Sequence, residues 1–483
     1  MGDDLKKKMV GALTWSTIDR FGQQAVQFVI GIILARLISI ADFGLIGMVM
    51  VFSALSFVLV ESGFGLALVR KQDATETDFN TIFYFNIFTS VLLYCILFFS
   101  IPAISVFFKQ PQLIFIGRVI FLAILFNALY LVPFVKLGKA MDYKTIAKVN
   151  LISTALSGIC GVALAVMNFG VWALVAQQVL YHFFRMITFY SFVKWKPKLL
   201  FSFEVIRNFW SFSIHLLGTS ILNVLFNNLY VLIIGKYYQK NEVGLYTQAN
   251  KLSETFNFSF QAILLGSTYS LFSQIQNDEE RFRRVFRELA QKTSIITFPI
   301  MLVLIAVAYP FIFVLLSEKW IPAVPFFQFL CLASLFGPLY TLNISALNSR
   351  GQSKITFRIE IIKKCLILLS VVICFNFGIF PMLWGYALAT FIAYLISIIY
   401  LKSNLTHYIK HQISDFSGSI GVGVLIAICD FGLSFLIQNN HFLLGAQVLL
   451  SAVLYFFCIK LFYNELYVKT FQFINEKVPF FKK

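Results

Sequence analysis

Residues 35–45 read ARLISIADFGL, and residues 235–245 read GKYYQKNEVGL. Both stretches have the same layout. A basic residue (Arg36, Lys236) stands at the end of an apolar run, and an acidic residue (Asp42, Glu242) opens the next, followed by Gly44-Leu45 or Gly244-Leu245. Outward from these stretches, further positions match in the same order. Phe126, Leu129 and Tyr130 correspond to Phe336, Leu339 and Tyr340, and Lys144 to Lys354. Pro102 corresponds to Pro310, and Asn168-Phe169-Gly170 to Asn376-Phe377-Gly378. Each identity is weak alone, because aromatics and leucine are common here. Their order and nearly constant offset mark an internal duplication.

The duplicated unit is built for a bilayer. The chain has 483 residues, 59% hydrophobic and 13% charged, with 57 phenylalanines and a mean hydropathy of +0.82. Soluble domains are about half apolar and about a quarter charged. The basic start (Lys6, Lys7, Lys8) leads into an apolar run with no small-residue cleavage site, so the first hydrophobic segment is expected to be retained. A window of about 20 residues yields about fourteen spans, near 12–38, 43–69, 80–108, 113–135, 149–167, 170–193, 209–235, 242–273, 293–317, 322–347, 357–377, 381–401, 418–437 and 442–463. Six spans per repeat is an even number, so the halves share one orientation and an axis along the membrane normal. The expected fold is an all-α membrane protein of two pseudo-symmetric six-helix lobes around a central cavity, residues 1–208 and 209–402. Two additional helices and a basic tail occupy 403–483.

Charge sets the orientation. With a cytoplasmic N-terminus, about 29 Lys and Arg residues fall inside and five (Arg36, Lys109, Lys236, Lys240, Lys319) outside. This places both termini, the 136–148 segment and the 274–292 segment in the cytoplasm, with the two Asn-Phe-Gly turns outside. The net charge of +17 is therefore read as topology rather than nucleic-acid binding. The seven cysteines lie in apolar runs without metal-ligand spacing. His407 and His411 sit in a basic loop without acidic or thiol company, so no metal site and no cofactor is expected.

Ionisable groups inside a span cost roughly 2.5–3.5 kcal/mol each on insertion scales and usually face a cavity or a partner. Span 1 places Ser16, Arg20, Gln23 and Gln27 on one stripe bordered by Asp19. Span 2 adds Glu61, span 6 Arg185, and span 7 Asn223, Asn227 and Asn228. Span 8 aligns Asn250, Glu254, Asn257 and Gln261 on one face flanked by Lys251. Two readings stay open. Arg20–Glu61 and Lys251–Glu254 are structural ion pairs, or Arg20, Arg185 and Lys251 form a basic lumen for an anion such as phosphate. The chain carries no GxxxxGK[ST], HExxH or GxSxG motif and no DxD pair in a loop, which argues against ATP binding and against an enzyme.

The ordered set Gly11 to Trp15 (GALTW), Ala35-Arg36-Leu37 with Asp42-Phe43-Gly44-Leu45, Ser62-Gly63-Phe64-Gly65 with Arg70-Lys71, Gly244-Leu245-Tyr246 through Lys251, and Glu318-Lys319-Trp320 with Pro325 resembles bacterial Wzx-type oligosaccharide flippases. Within these it is most similar to the lipopolysaccharide biosynthesis/colanic acid exporter group of the multidrug/oligosaccharidyl-lipid/polysaccharide superfamily. The resemblance runs from residue 1 to about 400. It implies two lobes around a V-shaped cavity lined by helices 1, 2, 7 and 8, and an undecaprenyl-diphosphate-linked glycan moved to the periplasmic leaflet of the inner membrane. A polysaccharide polymerase and a chain-length regulator are the implied protein partners.

Under that resemblance the cavity residues are Arg20, Gln23, Gln27, Arg185, Asn223, Asn227, Asn250, Lys251, Glu254 and Asn257. Arg36, Asp42, Lys236 and Glu242 would form a periplasmic gate. In the related lipid II flippases, basic residues on helices 1, 2 and 8 serve the diphosphate; here helix 2 offers Glu61 and no basic residue. Asp19 and Glu61 are the positions at which an ion could couple. Glu61 and Glu254 keep a cation antiporter of the same superfamily open. A membrane polymerase or ligase would need a large periplasmic loop, and every outer loop here is short.

Overall fold

The computed structural model describes residues 2–61, 63–402 and 408–462, with side chains left undescribed at 2–10, 211, 212, 215, 258–267, 269, 270, 402, 408–415 and 462. The C-terminal tail, Ser62 and His407 lie outside the described residues, as do the side chains of Gln261 and His411. Among the described residues the chain is helical throughout and has no strand. The helices are α1 (Gly2–Leu37), α2 (Ile40–Glu61), α3 (Phe64–Arg70), α4 (Glu76–Phe108), α5 (Leu113–Ile120), α6 (Leu122–Lys139), α7 (Tyr143–Val166), α8 (Val171–Phe192), α9 (Phe203–Asn227) and α10 (Leu229–Tyr237). Then follow α11 (Lys240–Ile275), α12 (Glu279–Ala306), α13 (Ala308–Leu316), α14 (Val324–Ser334), α15 (Gly337–Ser349), α16 (Ser353–Cys374), α17 (Ile379–Lys402), α18 (Tyr408–Leu433) and α19 (Asn440–Phe462).

Each expected span corresponds to one helix or to a broken pair. Among the described residues, nine spans are long and apolar enough to cross a bilayer, and ten if the pair 216–227 and 229–237, bent by 44°, counts as one. The remaining expected spans are α1, α8, α11 and α16. All four carry charges within the helix: Asp19 and Arg20, Arg185, Lys251 and Glu254, and Arg358 to Lys364. Fourteen crossings are thus not reached by composition alone, because the helices that fall short are the polar ones.

The chain forms two compact units, residues 1–248 and 249–483. In the first, α7 packs on α1 and α8, α6 on α4 and α8, and α9 on α2 and α3. Small residues allow this closeness: a Cβ on Gly158 would overlap the Ile30 side chain across the α1–α7 contact. The connection at 193–202 is docked rather than loose. Trp195 Nε1 donates to Glu76 (2.9 Å), and Glu76 also takes Lys136 (2.5 Å). The Lys198 and Ser202 backbone N–H groups donate to Asn80 Oδ1 (2.6 Å) and Thr81 Oγ1 (3.1 Å), both side chains fully buried at the start of α4. Thr75 and Asp78 close that helix start with a reciprocal capping box.

In the second unit α12 packs on α18, α14 and α15, α16 on α17, and α13 on α19. Its α18–α19 pair buries Asp430, whose carboxylate accepts from Ser451 (2.5 Å) while Gln447 donates to the Asp430 carbonyl (2.8 Å).

Candidate functional site

The polar stripe of α1 meets α7 and α8 inside the first unit. Asp19 accepts from Gln23 Nε2 (2.8 Å) and, through both oxygens, from Asn150 Nδ2 (3.1 and 3.1 Å). Tyr181 of α8 donates to Gln23 Oε1 (3.4 Å). One helical turn further, Arg185 Nη1 donates to Tyr130 Oη (3.0 Å), which also meets His182 Nδ1 (3.0 Å). The guanidinium lies over the rings of Tyr130 (4.6 Å), Phe134 (5.5 Å), Phe189 (5.6 Å) and Tyr181 (5.9 Å). Its charge is spread over π faces, a stabilisation of about 0.5–2 kcal/mol per favourable contact. Asp19 and Glu61 are the carboxylates within its electrostatic reach.

Arg20 differs from Arg185. It is exposed, and among the described residues it makes no hydrogen bond or ion pair. The Arg20–Glu61 pair is therefore absent among the described residues. Glu61 lines a cavity of about 450 Å³ between α2, α3, α6, α7 and α9, otherwise walled mainly by apolar groups such as Leu66, Phe134 and Leu217. Asn223 and Asn227 are exposed on α9, just before its break at Asn228, whose Nδ2 bonds the Val224 carbonyl (2.8 Å). Gln27 is part-buried on α1.

In the second unit, Asn250 Nδ2 donates to Glu254 Oε1 (2.9 Å), and Asn257 keeps a buried oxygen without a partner among the described residues. Lys251 is exposed and makes no ion pair among the described residues, so Lys251–Glu254 is not a salt bridge here. Sequence reasoning missed a constellation on α16. Tyr340, the repeat counterpart of Tyr130, donates to Glu360 Oε1 (2.6 Å), and Lys363 lies over its ring (4.5 Å). Both duplicated tyrosines thus hold charged groups on a polar helix, Arg185 in one case and Glu360 with Lys363 in the other. The signal was Tyr130/Tyr340 itself, followed by a span containing four charges.

The sequence reading expected a charged gate at Arg36, Asp42, Lys236 and Glu242. Asp42 accepts from Ser39 Oγ (2.8 Å) in its own helix start, and neither Asp42 nor Glu242 pairs with Lys236 among the described residues. The close approach between the two helix starts is made by glycines. A Cβ on Gly44 would overlap the Lys240 carbonyl, and a Cβ on Gly244 would overlap the Ile40 carbonyl. This reciprocity, with each glycine against the other helix's first turn, is what a two-fold contact between duplicated segments requires. Gly47 extends it, its Cβ position lying 3.6 Å from Thr247 Cβ.

This helical architecture is that of a multi-pass membrane protein. It superposes on the lipid II flippase MurJ in an inward closed conformation with a TM-score of 0.73 at 16% identity, covering 93% of this chain and 99% of that one. An inward-facing multidrug resistance MATE transporter gives 0.59 at 13% identity, over 80% and 96%. Over residues 33–325 the sequence matches the polysaccharide biosynthesis protein family (Polysacc_synt_3), and the chain belongs to that family. It is 25% identical to the teichuronic acid biosynthesis protein TuaB of Bacillus subtilis (strain 168), covering 92% of this chain and 93% of that protein. It is 24% identical to the lipopolysaccharide biosynthesis protein WzxC of Escherichia coli (strain K12), over 76% and 75%.

Proposed function

We propose that this protein is a flippase that moves an undecaprenyl-diphosphate-linked oligosaccharide repeat unit from the cytoplasmic to the periplasmic leaflet of the bacterial inner membrane by alternating access. The observation carrying the reading is that Arg20 and Lys251 have no anionic partner among the described residues, on helices too polar to face lipid. Cations at such positions are expensive unless an anion or a water-filled cavity receives them. A diphosphate is such an anion, and the guanidinium of Arg20 offers it a bidentate fork. Arg20 lies about 12 Å from the cytoplasmic end of its span and Lys251 about 13 Å from the outer end of its own, at 1.5 Å per residue. A cation in each half passes the headgroup on without one overly deep well.

Both termini lie in the cytoplasm in this reading, and residues 1–208 and 209–402 act as lobes. The Gly44–Gly244 crossing is the closed outer gate, with Arg36, Asp42, Lys236 and Glu242 at its rim. The glycan goes on to a polysaccharide polymerase with its chain-length regulator. Asp19, held by three amide hydrogen bonds beside a buried unpartnered Asn150 oxygen, is the position at which an ion couples. The test is deletion in a host making a known glycan, followed by lipid analysis. Accumulated undecaprenyl-linked repeat units support the reading; unchanged lipid pools with normal export refute it.

A further inference from the structure

We propose that the outer mouth of the first unit carries a binding basin for an acidic saccharide, taking a sugar carboxylate on Lys109, Lys236 and Lys240. The proposal rests on the topology and substrate given under the proposed function, and it adds the charge class of the glycan. A basin of about 660 Å³ opens between the end of α4, the end of α10 and the start of α11, lined by Phe108, Lys109, Gln110, Lys236, Tyr237, Tyr238, Gln239, Lys240 and Glu242. Three lysines face one carboxylate there. None of the three forms an ion pair with any described residue.

Their number is the first argument. Lysine and arginine are depleted from outward loops, and the sequence places five outside. Three of those five converge on one concavity. Topology does not require this, since scattered neutral residues would serve it equally well.

Rigidity is the second argument. Lys109 ends α4 in the left-handed region (φ 54, ψ 37), where glycine or asparagine is the usual occupant. The turn is fixed by Gln110 N–H to the Ser105 carbonyl (3.0 Å) and by Ser105 Oγ to the Gln110 carbonyl (2.9 Å). A side chain kept at a strained position calls for a reason outside the turn. Gly235 lets the Phe108 ring close the floor, since a Cβ there would come within 2.7 Å of it. Lys236 is braced over the Phe107 ring (4.4 Å).

The lining also suits a sugar better than a lipid headgroup. Tyr237 and Tyr238 supply aromatic rings of the kind that pack on pyranose C–H groups, above the buried Phe108 floor, and the amides of Gln110 and Gln239 can donate to and accept from hydroxyls. A uronate presents these features on one ring.

The experiment uses the full-length protein in phosphatidylcholine nanodiscs, with trigalacturonate as acidic probe and maltotriose as neutral control. Trigalacturonate should bind saturably and weaken as salt rises from about 0.05 to about 0.5 M, as screening requires, while maltotriose should not bind. The Lys109→Gln/Lys236→Gln/Lys240→Gln variant should bind the acidic probe at least about tenfold more weakly, a difference of about 1.4 kcal/mol. The corresponding triple Arg variant, checked for the same melting temperature, should retain binding. Wild-type affinity in the Gln variant, equal binding of both trisaccharides, or binding of short-chain phosphatidylglycerol in place of trigalacturonate each overturns the proposal. Trigalacturonate binding is read on purified protein, so it stands or falls separately from lipid-linked accumulation in the deletion strain.

Discussion

The Gly44–Gly244 crossing invites a covalent test. Gly47 and Thr247 lie one turn along the same two helices, and their Cβ positions are 3.6 Å apart. Disulfides form where Cβ atoms lie about 3.5–4.5 Å apart, so Gly47→Cys/Thr247→Cys should crosslink under mild oxidation without rearrangement. The pair must be built in a background lacking the seven native cysteines. If the crossing is the outer gate, the oxidised protein is locked shut. Glycan export should stop and return on reduction with dithiothreitol, while either single mutant exports regardless of oxidant.

A second substitution gives the magnitude. Gly44→Val pushes a branched side chain into the Lys240 carbonyl, and overpacking of this kind costs about 1–3 kcal/mol. At RT of about 0.6 kcal/mol, a central value of about 2 kcal/mol lowers the closed-to-open ratio about 30-fold. Crosslinking of the 47/247 pair should slow accordingly once Gly44→Val is added. Two results would refute the reasoning: no crosslink under any oxidant, or full export by the fully crosslinked protein. The first would deny the contact and the second would deny that it must open.

Arg20→Ala should reduce export at least about tenfold while Arg20→Lys keeps part of it, because charge survives but the bidentate fit is lost; export at matched membrane levels is the measure. Since Arg20 and Glu61 are not paired, Arg20→Ala/Glu61→Gln should be no milder than Arg20→Ala, and recovery in the double mutant would return Arg20 to a structural role. Asn80→Ala removes the buried acceptor of the Lys198 N–H (2.6 Å) and should destabilise the protein by about 1–3 kcal/mol, read as a lowered thermal midpoint of the detergent-purified chain. Cysteines at Asn168 or Asn376 should react with an impermeant thiol reagent from the periplasm, and labelling at residue 283 instead would invert the topology.

The duplication was legible because acid and glycine recur at the first turns of α2 and α11, a pattern that needs no three-dimensional information. The meaning of those glycines was not legible. The sequence drew attention to Arg36, Asp42, Lys236 and Glu242 as charges, whereas a backbone-to-backbone approach leaves no trace beyond a missing side chain. The polar stripe of α1 was readable from helical spacing, but the pairing of its charges was not. Electrostatic partners are set by interhelical packing, which put Arg185 on Tyr130 and left Arg20 without an ion pair among the described residues. Glu360 and Lys363 escaped because the leucine, isoleucine and valine of the span drew the reading, although its four charges keep α16 below a membrane-crossing composition. Their tie to Tyr340 spans about 20 residues and a helix turn. The 44° bend in the seventh span, at Asn228, was not read from the sequence, in which 209–235 forms one unbroken span.

The docked connection at 193–202 has a consequence for how the chain is made. Its backbone donors are satisfied by Asn80 and Thr81, and its tryptophan by Glu76, all of them residues that leave the ribosome more than a hundred positions earlier. The first eight helices can therefore close that end of their bundle before α9 is synthesised, without help from the second half of the chain. A nascent polypeptide stalled just beyond residue 202 already contains every group in that lock, so the insertion machinery can release a finished bundle instead of holding strongly polar helices such as α1 and α8 unpaired in lipid.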